Sequence, residues 1–171
     1  MDLSPYFREA GSGEGVVCLH SNASTSAQWR SLMERLSSRF HVFAPDSLGA
    51  GKSPAWPTGQ AVGLIDEVAL LDPVFTQAGS PLTLVGHSYG GAVALIAALA
   101  HPKMVRALVL YEPTLFSLLE EEAPGQDAAN GIREAATDAA ASIDANNPSA
   151  AAARFIDYWM GDGMWDKMPE S

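Results

Sequence analysis

One cysteine, Cys18, stands in a chain of 171 residues. A disulfide framework within the chain is thereby excluded. Cys18 lies inside an apolar, strand-like run, where it reads as a small buried hydrophobe. No apolar run is long enough to span a membrane, and the first 20 residues lack the basic start and apolar stretch of a secretory leader. Together these absences predict a cytoplasmic protein. Positive charge is scarce: 10 Lys and Arg oppose 20 Asp and Glu, for a net charge of −10. With no basic patch, neither nucleic acid nor an anionic membrane is an expected partner. Histidine is scarce too, at four residues, and this bears on the chemistry below.

What is present is material for a core. Hydrophobic residues make up 47% of the chain, and its length suits one domain. Charge is unevenly placed. Residues 1–111 carry 8 acids and 7 bases, net −1, whereas 112–171 carry 12 acids and 3 bases, net −9. The acidic tail serves solubility or, alternatively, a field that steers cationic substrates.

Val16-Val17-Cys18-Leu19-His20 reads as a buried strand, and 24–39 as a helix with Trp29, Leu32, Met33 and Leu36 on one face. A second strand runs over 41–45 and is closed by Asp46, before a Gly/Pro/Ser-rich loop from Ser47 to Gly59. Residues 61–78 are helical in pattern, with Pro73 expected to bend or divide them. A strand over 82–86, a helix over 90–100 and a strand over 105–111 follow. Apolar strands alternating with helices predict an α/β fold, a mainly parallel sheet with helices on both faces.

After Glu112-Pro113 the character changes. Residues 124–147 are rich in Ala, Asp and Asn, with Ile132, Ala136, Ala139 and Ile143 as a thin apolar stripe. A second helix is well marked: Asn147 as N-cap, Pro148 in the first turn, Gly161 as the stop. Its apolar face comprises Ala152, Phe155, Ile156, Trp159 and Met160. Phe155, Trp159 and Trp165 suit either an apolar pocket or plain core. The expected division is 1–113 as the α/β part and 114–171 as an acidic helical segment.

The chemistry centres on Gly86-His87-Ser88-Tyr89-Gly90, a G-x-S-x-G sequence. The bare pattern arises by chance in roughly one chain in twenty of this length. Its context gives it weight: a strand leads in, and Gly91 and a strong helix former lead out. A serine on such a strand-to-helix turn is held with its hydroxyl exposed, and the helix N-terminus faces the place where negative charge develops.

Three motifs carry a resemblance to the α/β-hydrolase family, in its lid-bearing serine branch: Leu19-His20-Ser21-Asn22-Ala23-Ser24 with Trp29 beyond it, Asp46-Ser47-Leu48-Gly49-Ala50-Gly51-Lys52-Ser53, and the elbow itself. The similarity covers residues 5–113, with a looser lid-like match to the end. It implies an incomplete α/β-hydrolase fold with C-terminal helical lid elements. It also implies Ser88 as nucleophile and the backbone N–H groups of Tyr89 and Asn22 as the oxyanion hole, supported by His20 and Ser21. Ser21 stands where the family has glycine, which leaves the shape of that loop open. A serine nucleophile implies a small-molecule acyl substrate, and no metal or organic cofactor.

A nucleophilic serine needs a general base and an orienting acid. The family places its histidine late in the chain, and no histidine follows Ser88 here except His101. His20, His41, His87 and His101 all read as structural. Glu112, at the carboxyl edge of a strand, is a candidate acid, or else lines the site or caps the turn at Pro113. The reading is therefore a serine hydrolase with its general base missing from this chain. The alternatives are a non-catalytic binding module and an N-terminal half that assembles. The strand over 105–111 lacks the usual protections of a free edge, so a homodimer or a C-terminal partner completing the sheet is expected.

Overall fold

A computed structural model describes residues 4–57, 59–122 and 129–168. Residue 58 of the Ser47–Gly59 loop and residues 124–128 of the Ala-rich stretch lie outside the described residues. The chain divides into two compact units, 1–114 and 115–171.

The first unit is a five-stranded sheet in the order β1-β3-β2-β4-β5. The strands are β1 (Phe7–Ala10), β2 (Glu14–Leu19), β3 (Phe40–Pro45), β4 (Leu82–His87) and β5 (Val105–Tyr111). β1 pairs antiparallel with β3, and every other pairing is parallel. Val16, Val17, Cys18 and Leu19 are all buried because β2 is central and covered on both faces. One face carries α2 (Leu64–Ala78) and α3 (Tyr89–Ala100): Val17, Leu19, Phe43 and Leu84 meet Val68, Leu71, Val74, Val93 and Ala97 there. The other face carries α1 (Arg30–Leu36), whose Met33 packs on Val16, Cys18, Val42 and Ala44. This is the α/β architecture the alternation predicts.

Three details differ from the sequence reading. β1 escapes it because only four residues are involved and two of them, Arg8 and Glu9, are charged. The helix over 24–39 is instead a 3₁₀ turn, Ser26–Trp29, capped by the Thr25 hydroxyl, followed by the seven-residue α1. Pro73 does not divide α2. The carbonyl it leaves without a helical donor belongs to Ala69, an exposed residue. The edge strand β5, already marked as unprotected by its sequence, is covered on one face only: Leu108 and Leu110 pack on the core, whereas Val109 is 55% and Tyr111 62% exposed.

The second unit comprises α4 (Ser117–Glu122), α5 (Asn130–Asp144), α6 (Pro148–Met160) and a 3₁₀ turn at Trp165–Lys167. The Asn147 side chain accepts from the Ala150 N–H at 3.2 Å and Gly161 ends α6 at φ +103°, as the sequence implies. An Arg154–Asp138 ion pair at 2.8 Å ties α6 to α5. The apolar stripe of α5 is rotated from the predicted one. Ala135 is buried, with Ile132 and Ala139 half-buried, whereas Ala136 and Ile143 are exposed. On α6, Ala151 is buried and Trp159 and Met160 are about half-exposed. Trp159 sits among Phe116, Phe155 and Tyr158, with ring centroids 5.0–6.3 Å away. Among the described residues, no helix is long and apolar enough to cross a membrane.

Candidate active site

β4 ends at His87 and α3 begins at Tyr89, so one residue, Ser88, makes the whole turn. Its backbone is left-handed, φ +52° and ψ −116°, a conformation that costs a side-chain-bearing residue about 1–3 kcal/mol. Its neighbours hold it there. The Ser88 N–H donates to the Tyr111 carbonyl at 2.9 Å, and the Ser88 carbonyl accepts from Gly91, Ala92 and Thr114. The two glycines of the motif have steric reasons. A Cβ at Gly90 would lie 2.2 Å from the Leu19 carbonyl oxygen, and one at Gly86 would lie 2.5 Å from that of Gly90. The elbow is thereby pressed against the end of β2, and the loop after β2 emerges directly beside it.

That loop turns at Asn22-Ala23, and its left-handed residue is Ala23, φ +51°. Ser21, in the family's glycine position, carries no positive φ. Its backbone and hydroxyl both donate to Gln28 Oε1 at 3.0 Å. A cleft of about 280 Å³ opens here, lined among others by His20, Asn22, Leu48, Trp56 and Tyr89. The structure thus brings Asn22, His20 and Tyr89 to one cavity. Ser88 is half-buried beside Tyr89 but is not itself part of that lining.

The far wall of the cleft is the loop 47–54, and three buried ionisable side chains pin it. His20 accepts from the Ser47 N–H at Nε2 (3.0 Å) and donates from Nδ1 to the Ser21 carbonyl (2.7 Å). Burial pushes its pKa below the ordinary range, so the ring is neutral and both nitrogens are engaged. Asp46 accepts from the Ser26 N–H at 2.6 Å and the Lys52 N–H at 3.0 Å. Burial alone would raise the Asp46 carboxyl, but these hydrogen bonds and the nearby His20 outweigh it and hold it below the usual range. Gly51 is required because a Cβ there would lie 2.1 Å from Asp46 Oδ2. Glu67 on α2 is 1% exposed; it accepts from the Leu48 N–H at 3.2 Å and the Tyr89 hydroxyl at 3.1 Å. Burial raises its pKa, and burial followed by the Glu67 charge raises that of Tyr89.

Glu67 and Gln28 escape the sequence reading. The available signal for Glu67 is an acid on the apolar face of α2, alongside Leu70, Leu71 and Val74. Gln28 gives no signal, since an exposed glutamine in a helical stretch is commonplace.

The remaining candidates are less engaged. Glu112 follows β5 with φ +46°, exposed, and its carboxyl makes no hydrogen bond or ion pair among the described residues. None of the four histidines is hydrogen-bonded to Ser88. His41 pairs with Glu9 at 2.6 Å, and His101 ends α3 at 3.8 Å from Asp72. His87 accepts from Gln28 and lies 4.9 Å, centroid to centroid, from the Tyr111 ring. Cys18 is no nucleophile, because burial pushes its thiol up to about 12.

Sheet order, elbow and flanking loop together define a class, and comparison with known proteins agrees: residues 15–156 match the family model described as alpha/beta hydrolase fold, and the chain belongs to that family. Among curated relatives, it is 38% identical over 103 residues to the lipase LipV of Mycobacterium tuberculosis, covering 58% of this chain and 37% of that protein. It is also 38% identical over 117 residues to the 2-(acetamidomethylene)succinate hydrolase of Mesorhizobium japonicum, covering 68% and 41%. Among solved structures, an α/β hydrolase from Sphaerobacter thermophilus superposes with a TM-score of 0.71 at 24% identity, covering 95% of this chain and 60% of that one. The chain spans 30–41% of the length of the curated relatives it matches.

Proposed function

We propose that this chain carries the nucleophile and oxyanion hole of a serine hydrolase acting on an ester or related acyl substrate. The observation that supports it most is the left-handed Ser88 between β4 and α3, a strained residue kept at the mouth of a helix. In this reading the Ser88 oxygen attacks the acyl carbon, its proton passes to a base, and the carbonyl oxygen becomes an oxyanion. The N–H groups of Tyr89 and Asn22 donate to that oxyanion, one from the first turn of α3, where N–H groups lack helical partners, and one from the loop after β2. His20 and Ser21 brace the loop, and Glu112 is the candidate acid. The accepting imidazole comes from outside these 171 residues, because the four histidines here are committed elsewhere or remote from the hydroxyl. The names of the relatives, a lipase and a succinate-type hydrolase, support the hydrolytic class. A cytoplasmic site of action, suggested by one buried thiol and no disulfide, belongs to the same reading.

Hydrolysis of an activated ester tests it. The chain alone should retain only the roughly 10³–10⁴-fold acceleration over water left by oxyanion binding and positioning when a triad member is missing. Because that remainder does not depend on the triad serine, Ser88→Ala should leave it nearly unchanged. The nucleophile assignment is tested by fluorophosphonate labelling instead, and absence of an adduct on Ser88 would overturn it. Full enzymatic turnover by the isolated chain, abolished by Ser88→Ala, would overturn the external base.

A second reading rests on β5, which ends the sheet with a free edge and an open face at Val109 and Tyr111. We propose that a second copy, or a C-terminal partner, covers this edge. Sedimentation showing a stable monomer with exchange-labile β5 amides would contradict it.

A further inference from the structure

The loop after β2 and the elbow after β4 are joined by one side chain from a third element. Gln28, in the 3₁₀ turn before α1, accepts at Oε1 from both the Ser21 N–H and the Ser21 hydroxyl, each at 3.0 Å. Its Nε2 lies 2.9 Å from His87 Nδ1. The orientation of the amide is determined by chemistry. A backbone N–H can only donate, so the atom facing Ser21 is the oxygen, and the atom facing His87 is the NH₂. His87 Nδ1 is then an acceptor, and the ring carries its proton on Nε2.

We propose that Gln28 is a positioning residue for the oxyanion hole, tying Ser21 to His87 and fixing His87 as the Nε2–H tautomer. This rests on the assignment of Asn22 and Tyr89 as oxyanion donors. Asn22 follows Ser21, and Tyr89 lies two residues beyond His87, so the Gln28 amide sets the separation of two N–H groups that act on one oxygen. Ser21 gains a purpose in the same arrangement: a glycine there would lose the second hydrogen bond to Gln28. His87 is also removed as a base at Nδ1, because that lone pair is occupied.

The test uses the whole chain and two independent readouts. Nitrogen-15 spectra of the imidazoles at about pH 8, where free histidine is neutral, should show His87 with an acceptor-type Nδ1 and a protonated Nε2. In Gln28→Glu, a carboxylate accepts from Ser21 and can only accept from His87, so the His87 proton should move to Nδ1. An Nδ1–H signal in the wild type, or a spectrum unchanged by Gln28→Glu, would overturn the tie. The second readout is the rate at which a fluorophosphonate modifies Ser88. Gln28→Ala should slow it about tenfold, a fraction of the loss expected for deleting a whole oxyanion donor. Gln28→Glu, which keeps the tie with the proton exchanged, should restore it to within about threefold. Equal rates in the wild type and Gln28→Ala would overturn the positioning role. If Ser88 is unmodified in every variant, the nucleophile reading falls together with the positioning role, and the His87 spectrum alone decides whether the tie exists.

Discussion

In the unit spanning 1–114, the buried hydrophobic residues described include Phe43, Leu82, Leu84, Val74 and Phe75, and the buried polar ones are His20, Ser26, Asp46 and Glu67. In the unit spanning 115–171, the buried hydrophobic residues described are Ala129, Ala135 and Ala151, while several of its large apolar side chains, among them Leu118, Ile143, Trp159 and Met160, are 50%, 55%, 46% and 54% exposed. The charge follows the same division, near neutral up to residue 111 and strongly acidic after it. The first unit has a core dense enough to hold strained and charged groups where chemistry needs them. The second is a set of helices held by caps, an ion pair and ring contacts, with apolar surface still turned outward. Strain at Ser88 persists because the sheet around it overdetermines the turn.

The sharpest way to break this contrast is to cut both units at an aromatic residue. Phe43→Ala should cost about 3–5 kcal/mol in chemical denaturation, because the ring is wholly buried. Trp159→Ala should cost about 1 kcal/mol, the worth of its ring contacts. Equal losses would erase the distinction.

Next in size is Gly90→Ala, which places a methyl group against the Leu19 carbonyl and should cost about 1–3 kcal/mol. Denaturation measures this loss, and Ser88 reactivity should fall with it because the elbow must shift.

The buried ionisable groups of the first unit give it a pH signature of its own. The Glu67 pKa is raised by burial, so its stabilising share is present below the ordinary carboxyl value and lost as pH rises through the raised one. Glu67→Gln should flatten that dependence: a glutamine can still accept from Leu48 and donate to the Tyr89 oxygen. His20 acts in the opposite direction. Burial lowers its pKa, so its share is present above the ordinary imidazole value and lost as pH falls through the lowered one. Denaturation midpoints across pH, compared between wild type, Glu67→Gln and His20→Gln, check both signs.

The smallest effect belongs to the second unit. Asn147→Ala removes the cap on α6 and should cost about 1 kcal/mol locally. Faster hydrogen exchange at Ala150, with β2 and β4 amides unchanged, is the expected pattern.

Much of the first unit was legible in the sequence because its strands are buried on both faces and its helices repeat apolar residues at 3.6 spacing. Legibility failed where tertiary context overrides local pattern. β1 joins the sheet through an antiparallel pairing that no local period announces. α2 runs through Pro73, with Ala69, whose carbonyl loses its donor, on the exposed side of the helix. In α5 the buried alanine, Ala135, lies outside the predicted stripe while Ala136 within it is exposed, since alanine suits either environment. At the site, the elbow was legible because glycine at two fixed positions is a steric demand. Gln28 and Glu67 were not, because a hydrogen-bond tie between distant loops leaves no trace in local composition.

The claim on which the rest depends is that Ser88 is a poised nucleophile. Exposure of the chain to excess fluorophosphonate, followed by mass-spectrometric mapping, tests it most directly. A single adduct on the peptide containing Ser88, formed slowly because no histidine is hydrogen-bonded to the hydroxyl and absent in Ser88→Ala, is the predicted result. Absence of an adduct, or an adduct formed equally in Ser88→Ala, would contradict it.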